Sequence, residues 1–177
     1  LETLKKYIPN YNSKYPKNFQ KILEAFSEEY QLNDNDIQLL WSAYQFGEEA
    51  HSGQKRESGV PYFDHCTEVC IQLIYWHMDI DTLIAGLLHD TIEDTKISKK
   101  DISNHFNDDI ANLVSGVSNL SGIKFRNHEH KQAENLMKMF LAVAKDLRVI
   151  IIKFSDRLHN MKTLKHLSKE KQIRIAN

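Results

Sequence analysis

The stretch Gly86-Leu87-Leu88-His89-Asp90-Thr91-Ile92-Glu93-Asp94-Thr95 places one imidazole and three carboxylates within six residues, directly after the apolar run Leu83-Ile84-Ala85-Gly86-Leu87-Leu88. Read as helix, His89, Asp90, Glu93 and Asp94 stand at i, i+1, i+4 and i+5 and share one side of the rod. Leu83, Ile84, Leu87 and Leu88 supply the stripe that buries that rod in a core. Clustered carboxylates repel one another unless a positive charge sits between them, and a divalent cation is the simplest candidate. A solvated acidic helix end is the alternative. Its position argues against it, because acids stabilise the N-terminus of a helix and these follow an apolar helical run.

At 177 residues, with 41% hydrophobic and 27% charged residues, the chain can bury a substantial core. Only 6 Gly and 3 Pro leave few turn-formers, which predicts long helices and short connections, an all-α fold. A net charge of -1 provides no basic field, so direct nucleic-acid binding is not expected. No apolar run approaches the roughly 20 residues that span a bilayer, so no membrane association is expected. The chain begins with Leu1 and stops at Asn177 in mid-pattern, as a piece of a longer protein would. Cys66 and Cys70, at i and i+4, read as reduced thiols on a buried helix face rather than as zinc ligands, which suits a reducing cytoplasm.

Outward from the central stretch, helices are expected in the first 30 residues (with a break around Pro16), then after the turn Asn33-Asp34-Asn35-Asp36, and from His65 through Val69, Leu73 and Ile74. Residues 1–33 read as a helical preface to a domain over 34–177. The segment 51–62 breaks the pattern with two Gly and a Pro and carries His51, Lys55, Arg56 and Ser58, the equipment of an anion-contacting loop. Ser98 and Asp101 form a capping box, and 107–117 reads as an amphipathic helix. The polar segment 119–130 reads as a loop, after which a helix resumes through Leu136, Met139, Phe140 and Val143. The β-branched run Val149-Ile150-Ile151-Ile152 looks strand-like, but Asp156, His159, Asn160 and Thr163 follow at i, i+3, i+4 and i+7. That spacing is one polar stripe on an otherwise apolar helix. Such a stripe lines a cavity, since each buried polar group left unpaired costs about 1–3 kcal/mol.

The order His65, His89-Asp90, Asp156 is that of the HD superfamily of metal-dependent phosphohydrolases. The surrounding words are more specific: Ala50-His51-Ser52-Gly53-Gln54, Ser58-Gly59-Val60-Pro61-Tyr62, Leu88-His89-Asp90-Thr91-Ile92-Glu93-Asp94, Gln132-Ala133-Glu134-Asn135 and Asp156-Arg157-Leu158-His159-Asn160-Met161. From about residue 30 to the end, the chain resembles the hydrolase domain of the RelA/SpoT family, the long bacterial enzymes that make and degrade the alarmone (p)ppGpp.

The resemblance implies an HD-domain helical bundle in which His65, His89, Asp90 and Asp156 hold one Mn²⁺. Glu93 and Asp94 match the acidic pair that orients or deprotonates the attacking water. Arg56 and Ser58 match the loop framing the guanine, Asn160 and Thr163 match nucleotide contacts, and Lys55 and His51 are candidate phosphate neighbours. The implied reaction is hydrolysis of the 3′-pyrophosphate of (p)ppGpp to GDP or GTP and pyrophosphate, in a cytoplasmic enzyme with a C-terminal synthetase domain in the full-length chain. A catalytically silent alarmone-binding regulatory domain, or another HD nucleotide phosphohydrolase, are the alternatives. Three positions depart from the pattern: Glu57 stands in place of a basic residue, Val60 of a Glu, and Cys66 of a Pro. Both His ligands must be neutral to bind metal, so activity is expected to fall as pH drops through about 6.5.

Overall fold

The computed structural model describes residues 15–31, 33–121, 145–164, 169 and 172. Residues 1–14, the polar segment 122–130 with its Gln132-Ala133-Glu134-Asn135 continuation, and the helix expected through Leu136 and Val143 lie outside the described residues.

Among the described residues the elements are all helical, apart from one isolated bridge pair. In chain order they are α1 (Lys17–Glu29), α2 (Asp34–Ala50), α3 (Phe63–Tyr75), α4 (Ile80–Leu88), α5 (Thr91–Asp94), α6 (Lys99–His105), α7 (Asp108–Ser121) and α8 (Arg148–Lys162). Local chemistry sets the starts. Asn33 caps α2 by accepting from Asp36 N, Asp79 caps α4 by accepting from Thr82 N, and Ser98 and Asp101 form the reciprocal box at α6. No helix of the described residues is long and apolar enough to cross a membrane.

α3 and α4 form the centre. Val69, Leu73 and Ile74 of α3 meet Leu83, Ile84 and Leu87 of α4, all fully buried. α1 lies on α3, α2 and α7 flank α4, and α8 crosses both α3 and α7. Phe19, Ile22, Leu23 and Phe26 of α1 belong to the same core, so the helix of the preface is part of the packing. The β-branched run at 149–152 is helical, as its continuation predicts, because Val149 and Ile152 are needed on the buried face. That helix is less buried than expected: Phe154, Leu158 and Met161 are exposed among the described residues. Ser155 pins α8 to α3 by donating to the Val69 carbonyl at 3.0 Å.

The central stretch is not one rod. α4 ends at Leu88; His89 and Asp90 are helical in φ, but ψ at Asp90 is -4°, and α5 restarts as a single turn. The Thr91 hydroxyl donates to the Leu88 carbonyl at 2.6 Å, satisfying an acceptor the ended helix leaves open. The break lets His89 and Asp90 point inward while Glu93 and Asp94 reach the surface.

Close approach of α2 to the start of α3 requires Gly47. A Cβ there would clash with Phe63 Cε2 and lie 2.8 Å from Phe63 Cζ and 3.3 Å from Leu88 Cδ2. The ring is held against Tyr44 in an edge contact at 5.1 Å and has little room to retreat. Gly47→Val is therefore expected to lose about 1–3 kcal/mol of stability by overpacking. Urea denaturation measures it, and an unchanged midpoint would show that Phe63 is not fixed.

Candidate functional site

Three helical segments deliver four donors to one buried point. His65 comes from the first turn of α3, His89 and Asp90 from the break after α4, and Asp156 from the middle of α8. His65 Nε2 lies 3.1 Å from Asp156 Oδ1 and 3.8 Å from Asp90 Oδ2; His89 Nε2 lies 3.0 Å from Asp90 Oδ2 and 3.9 Å from Asp156 Oδ1. Each imidazole thus faces both carboxylates, at the separations adopted by neighbouring ligands of a cation with bonds of about 2.0–2.2 Å.

The tautomer of His89 is set from behind, where Nδ1 donates to the Gly86 carbonyl at 2.8 Å. Its Nε2 has no aligned hydrogen-bond partner despite complete burial, and points at the carboxylates. A buried nitrogen held toward two carboxylates without a bond of its own is what a cation site leaves when the cation is removed. The nitrogen and oxygen donor set suits a borderline divalent ion. Cys66 also brings its sulfur within 4.8 Å of donor atoms of His89 and Asp90. Burial, reinforced by the charges of Asp90 and Asp156, pushes its thiol well up, so it stays protonated and a poor ligand. Cys66 and Cys70 are both free and fully buried, as expected.

Electrostatics balance the cluster in the metal-free state. Burial alone would lower His89, but the charges of Asp90 and Asp156 and the hydrogen bond to Gly86 raise it to about 9. Burial dominates at His65 and lowers it to about 4. Burial would raise both carboxyls; hydrogen bonds and the neighbouring imidazoles hold them well below the usual range, Asp156 with help from Lys153. Lys153 Nζ reaches Asp156 Oδ2 at 2.6 Å, while Asn160 Nδ2 donates to Asp156 Oδ1 at 2.6 Å.

The segment 51–62 is a tight hairpin rather than an open loop. Lys55 pairs with Pro61, Arg56 N donates to the Val60 carbonyl, and Gly53 and Gly59 take φ of 77° and 85°. Arg56 turns inward, its Nη2 donating to Asn160 Oδ1 at 2.5 Å and its guanidinium lying over the Tyr62 ring. Lys55, Glu57 and Ser58 are exposed on the hairpin. Thr163 caps α8, its hydroxyl in reach of the His159 and Asn160 carbonyls at 3.1 Å. His51 is packed beneath the hairpin, its Nε2 without a hydrogen-bond partner. It is 2% exposed, stacks on Tyr62, and shares a hydrogen bond with Gln54, which in turn donates to the Asp94 carbonyl.

The family enters here. An HD domain model matches residues 43–177. The chain belongs to the HD domain family. It is 45% identical over 154 residues to the guanosine-3′,5′-bis(diphosphate) 3′-pyrophosphohydrolase of Vibrio cholerae, covering 87% of this chain and 22% of that protein. It is 46% identical over 145 residues to the bifunctional (p)ppGpp synthase/hydrolase SpoT of Escherichia coli K12, covering 82% and 21%. The GTP pyrophosphokinase of Myxococcus xanthus matches at 44% over 146 residues, 81% of this chain and 19% of that one. A solved structure of a metazoan ortholog of SpoT, described as hydrolyzing ppGpp, superposes with a TM-score of 0.64 at 25% identity over 82% of each chain. The HD chain described here spans about a fifth of the length of the curated relatives it matches.

Three residues of the site were given no role from the sequence. Tyr62 is the most consequential. Its hydroxyl lies 2.8 Å from Asp90 Oδ2 and 2.8 Å from Asp94 Oδ2, yet carries one proton, so it donates to one carboxylate at a time. Burial and those carboxylates raise it far beyond a phenol's usual range, so it remains a donor. Lys153 and His159 are the others. The hairpin word containing Tyr62, the one-turn spacing of Lys153 from Asp156 and the place of His159 on the polar stripe were their only signals.

The two histidines titrate on opposite sides of their ordinary value, which divides the single pH effect expected from sequence. A proton on His89 at pH values below about 9 competes with a metal, whereas His65 is already neutral above about 4. Mn²⁺ affinity is therefore expected to rise about tenfold per pH unit between pH 6 and 8. The metal-free protein should be most stable near pH 6.5. His89, raised in the fold, contributes stability that is lost as pH climbs through about 9; His65, lowered, costs stability as pH falls from 6.5 toward 4. Calorimetric Mn²⁺ titrations at pH 6, 7 and 8 check the first statement, and equal affinities would contradict it.

Proposed function

We propose that this chain is the hydrolase domain of a longer cytoplasmic RelA/SpoT protein and removes the 3′-pyrophosphate of (p)ppGpp with Mn²⁺ bound by His65, His89, Asp90 and Asp156. The observation that carries the reading is that both buried imidazoles lie within 4 Å of both buried carboxylates, with His89 Nε2 lacking an aligned hydrogen bond. The relatives' names supply the substrate class. We place the domain at 34–177 with 1–33 as its preface, and a synthetase domain C-terminal to it. The relatives' greater length and the synthase activity named for one of them support that arrangement.

When bound, the ion lowers the pKa of water and neutralises charge on the phosphoryl oxygens. The remaining work falls to the chain. Asp94 is oriented by Tyr62, and with Glu93 beside it on α5 provides an exposed acidic pair that takes the proton of the attacking water. Arg56 is set by Asn160 beside the same cluster and meets the nucleotide, with Ser58, Lys55 and Thr163 further out. His51 acts from beneath, as a prop for Tyr62 and Gln54. Lys153 and Asn160 keep Asp156 ionised and aimed. Water adds across the phosphoester link, giving GDP or GTP and pyrophosphate.

The test is turnover of ppGpp by the metal-stripped chain before and after Mn²⁺ is restored. GDP and pyrophosphate should appear only after restoration. Asp156→Asn should lower kcat at least about a hundredfold, since it removes a charged ligand. Tight ppGpp binding without turnover in the Mn²⁺-loaded protein would instead establish the silent regulatory domain. Turnover of deoxynucleotides but not ppGpp would establish a different HD phosphohydrolase.

A further inference from the structure

His159 has no role in the account so far, yet it touches a proposed metal ligand from the side opposite the carboxylates. Its Nδ1 is 2.6 Å from His65 Nδ1, and the two rings lie 4.7 Å apart at 37°. Two ring nitrogens at that separation share one proton: one donates and the other presents its lone pair. Arg56 Nη1 stands 3.4 Å from the same His159 nitrogen and can only donate.

We propose that His159 is a positioning residue that keeps His65 oriented in both the empty and the loaded site by exchanging donor for acceptor at its Nδ1. The inference rests on the metal-centre reading above. In the empty site the Asp156 carboxylate, 3.1 Å from His65 Nε2, can only accept. Neutral His65 therefore carries its proton on Nε2, leaves a lone pair on Nδ1, and receives the hydrogen bond from His159 Nδ1–H. In the loaded site His65 must turn a lone pair on Nε2 toward the ion, so its proton resides on Nδ1. The hydrogen bond then survives only if it reverses, with His159 accepting at Nδ1 and carrying its own proton on Nε2. Each imidazole keeps one proton throughout, and only its location on the ring changes by exchange with solvent.

Few side chains can do this from one fixed atom. Lysine or arginine at 159 could donate but not accept, and a carboxylate could accept but not donate. The loaded tautomer also removes from His159 Nδ1 the proton that would otherwise face the Arg56 donor 3.4 Å away. His159 is half-buried at the surface of α8, which leaves its ring open to proton exchange.

The test pairs Mn²⁺ titration calorimetry with ¹⁵N NMR of the histidine rings, using Zn²⁺ as the diamagnetic ion. His159→Leu should weaken Mn²⁺ binding by about 10–100-fold, the range for loss of a ligand's supporting partner. His159→Gln, whose amide can turn either its oxygen or its nitrogen to His65, should recover most of that loss. In the unsubstituted protein the proton on His159 should move from Nδ1 to Nε2 on loading. Full Mn²⁺ affinity in a folded His159→Leu protein, or an unchanged His159 tautomer, would overturn the inference while leaving the metal centre standing. Absence of Mn²⁺ binding by the unsubstituted chain would overturn both. Should the leucine variant not fold, the tautomer measurement decides alone.

Discussion

Two carboxylates buried against two imidazoles are the constraint around which the molecule is built. Neither Asp90 nor Asp156 has enough solvent to stabilise its charge, and their helices bring them toward the same point. Removing a carboxylate from water costs several kcal/mol unless it is paired and hydrogen-bonded. Every nearby polar group answers that demand. Lys153 and Asn160 serve Asp156, the one Tyr62 proton is shared between Asp90 and Asp94, and the raised affinity of His89 for a proton supplies a positive charge between the buried carboxylates. A divalent cation would replace that proton and do so with more charge.

The helices matter because they hold those groups against their mutual repulsion. α3 and α4 interlock through fully buried aliphatic side chains, and α8 is tied to α3 by its serine hydroxyl. The break after Leu88 is the device that turns one sequence word to two uses. Upstream of it the chain is core; at it, His89 and Asp90 face inward; beyond it, Glu93 and Asp94 meet solvent. A continuous helix would have kept the four groups on one face and lost that division between buried and exposed groups.

Much of this was legible in the residues. Helical spacing of Asp156 and Asn160 correctly overrode the β-branched run before them, because periodicity over several turns reports burial whereas propensity reports only a local preference. The capping residues Asn33 and Ser98 marked helix starts for the same reason that they cap: their side chains satisfy open N–H groups. The break at His89-Asp90 was not legible, since neither Gly nor Pro marks it and both residues remain near helical φ. His51 looked like an anion contact because its neighbours are basic, yet tertiary packing places it under Tyr62. Tyr62 and His159 were given no role because their contacts, to Asp90 and His65, span 28 and 94 positions, which no local spacing announces, and Lys153, one turn from Asp156, reads from spacing alone as any surface lysine does.

The central claim is that His65, His89, Asp90 and Asp156 bind one cation together. Crystals of the chain grown with Mn²⁺, and measured for anomalous scattering at the manganese edge, address it directly. One peak within bonding distance of both Nε2 atoms and both carboxylates is the result predicted. A peak elsewhere, or none with Mn²⁺ in excess at pH 8, would contradict it.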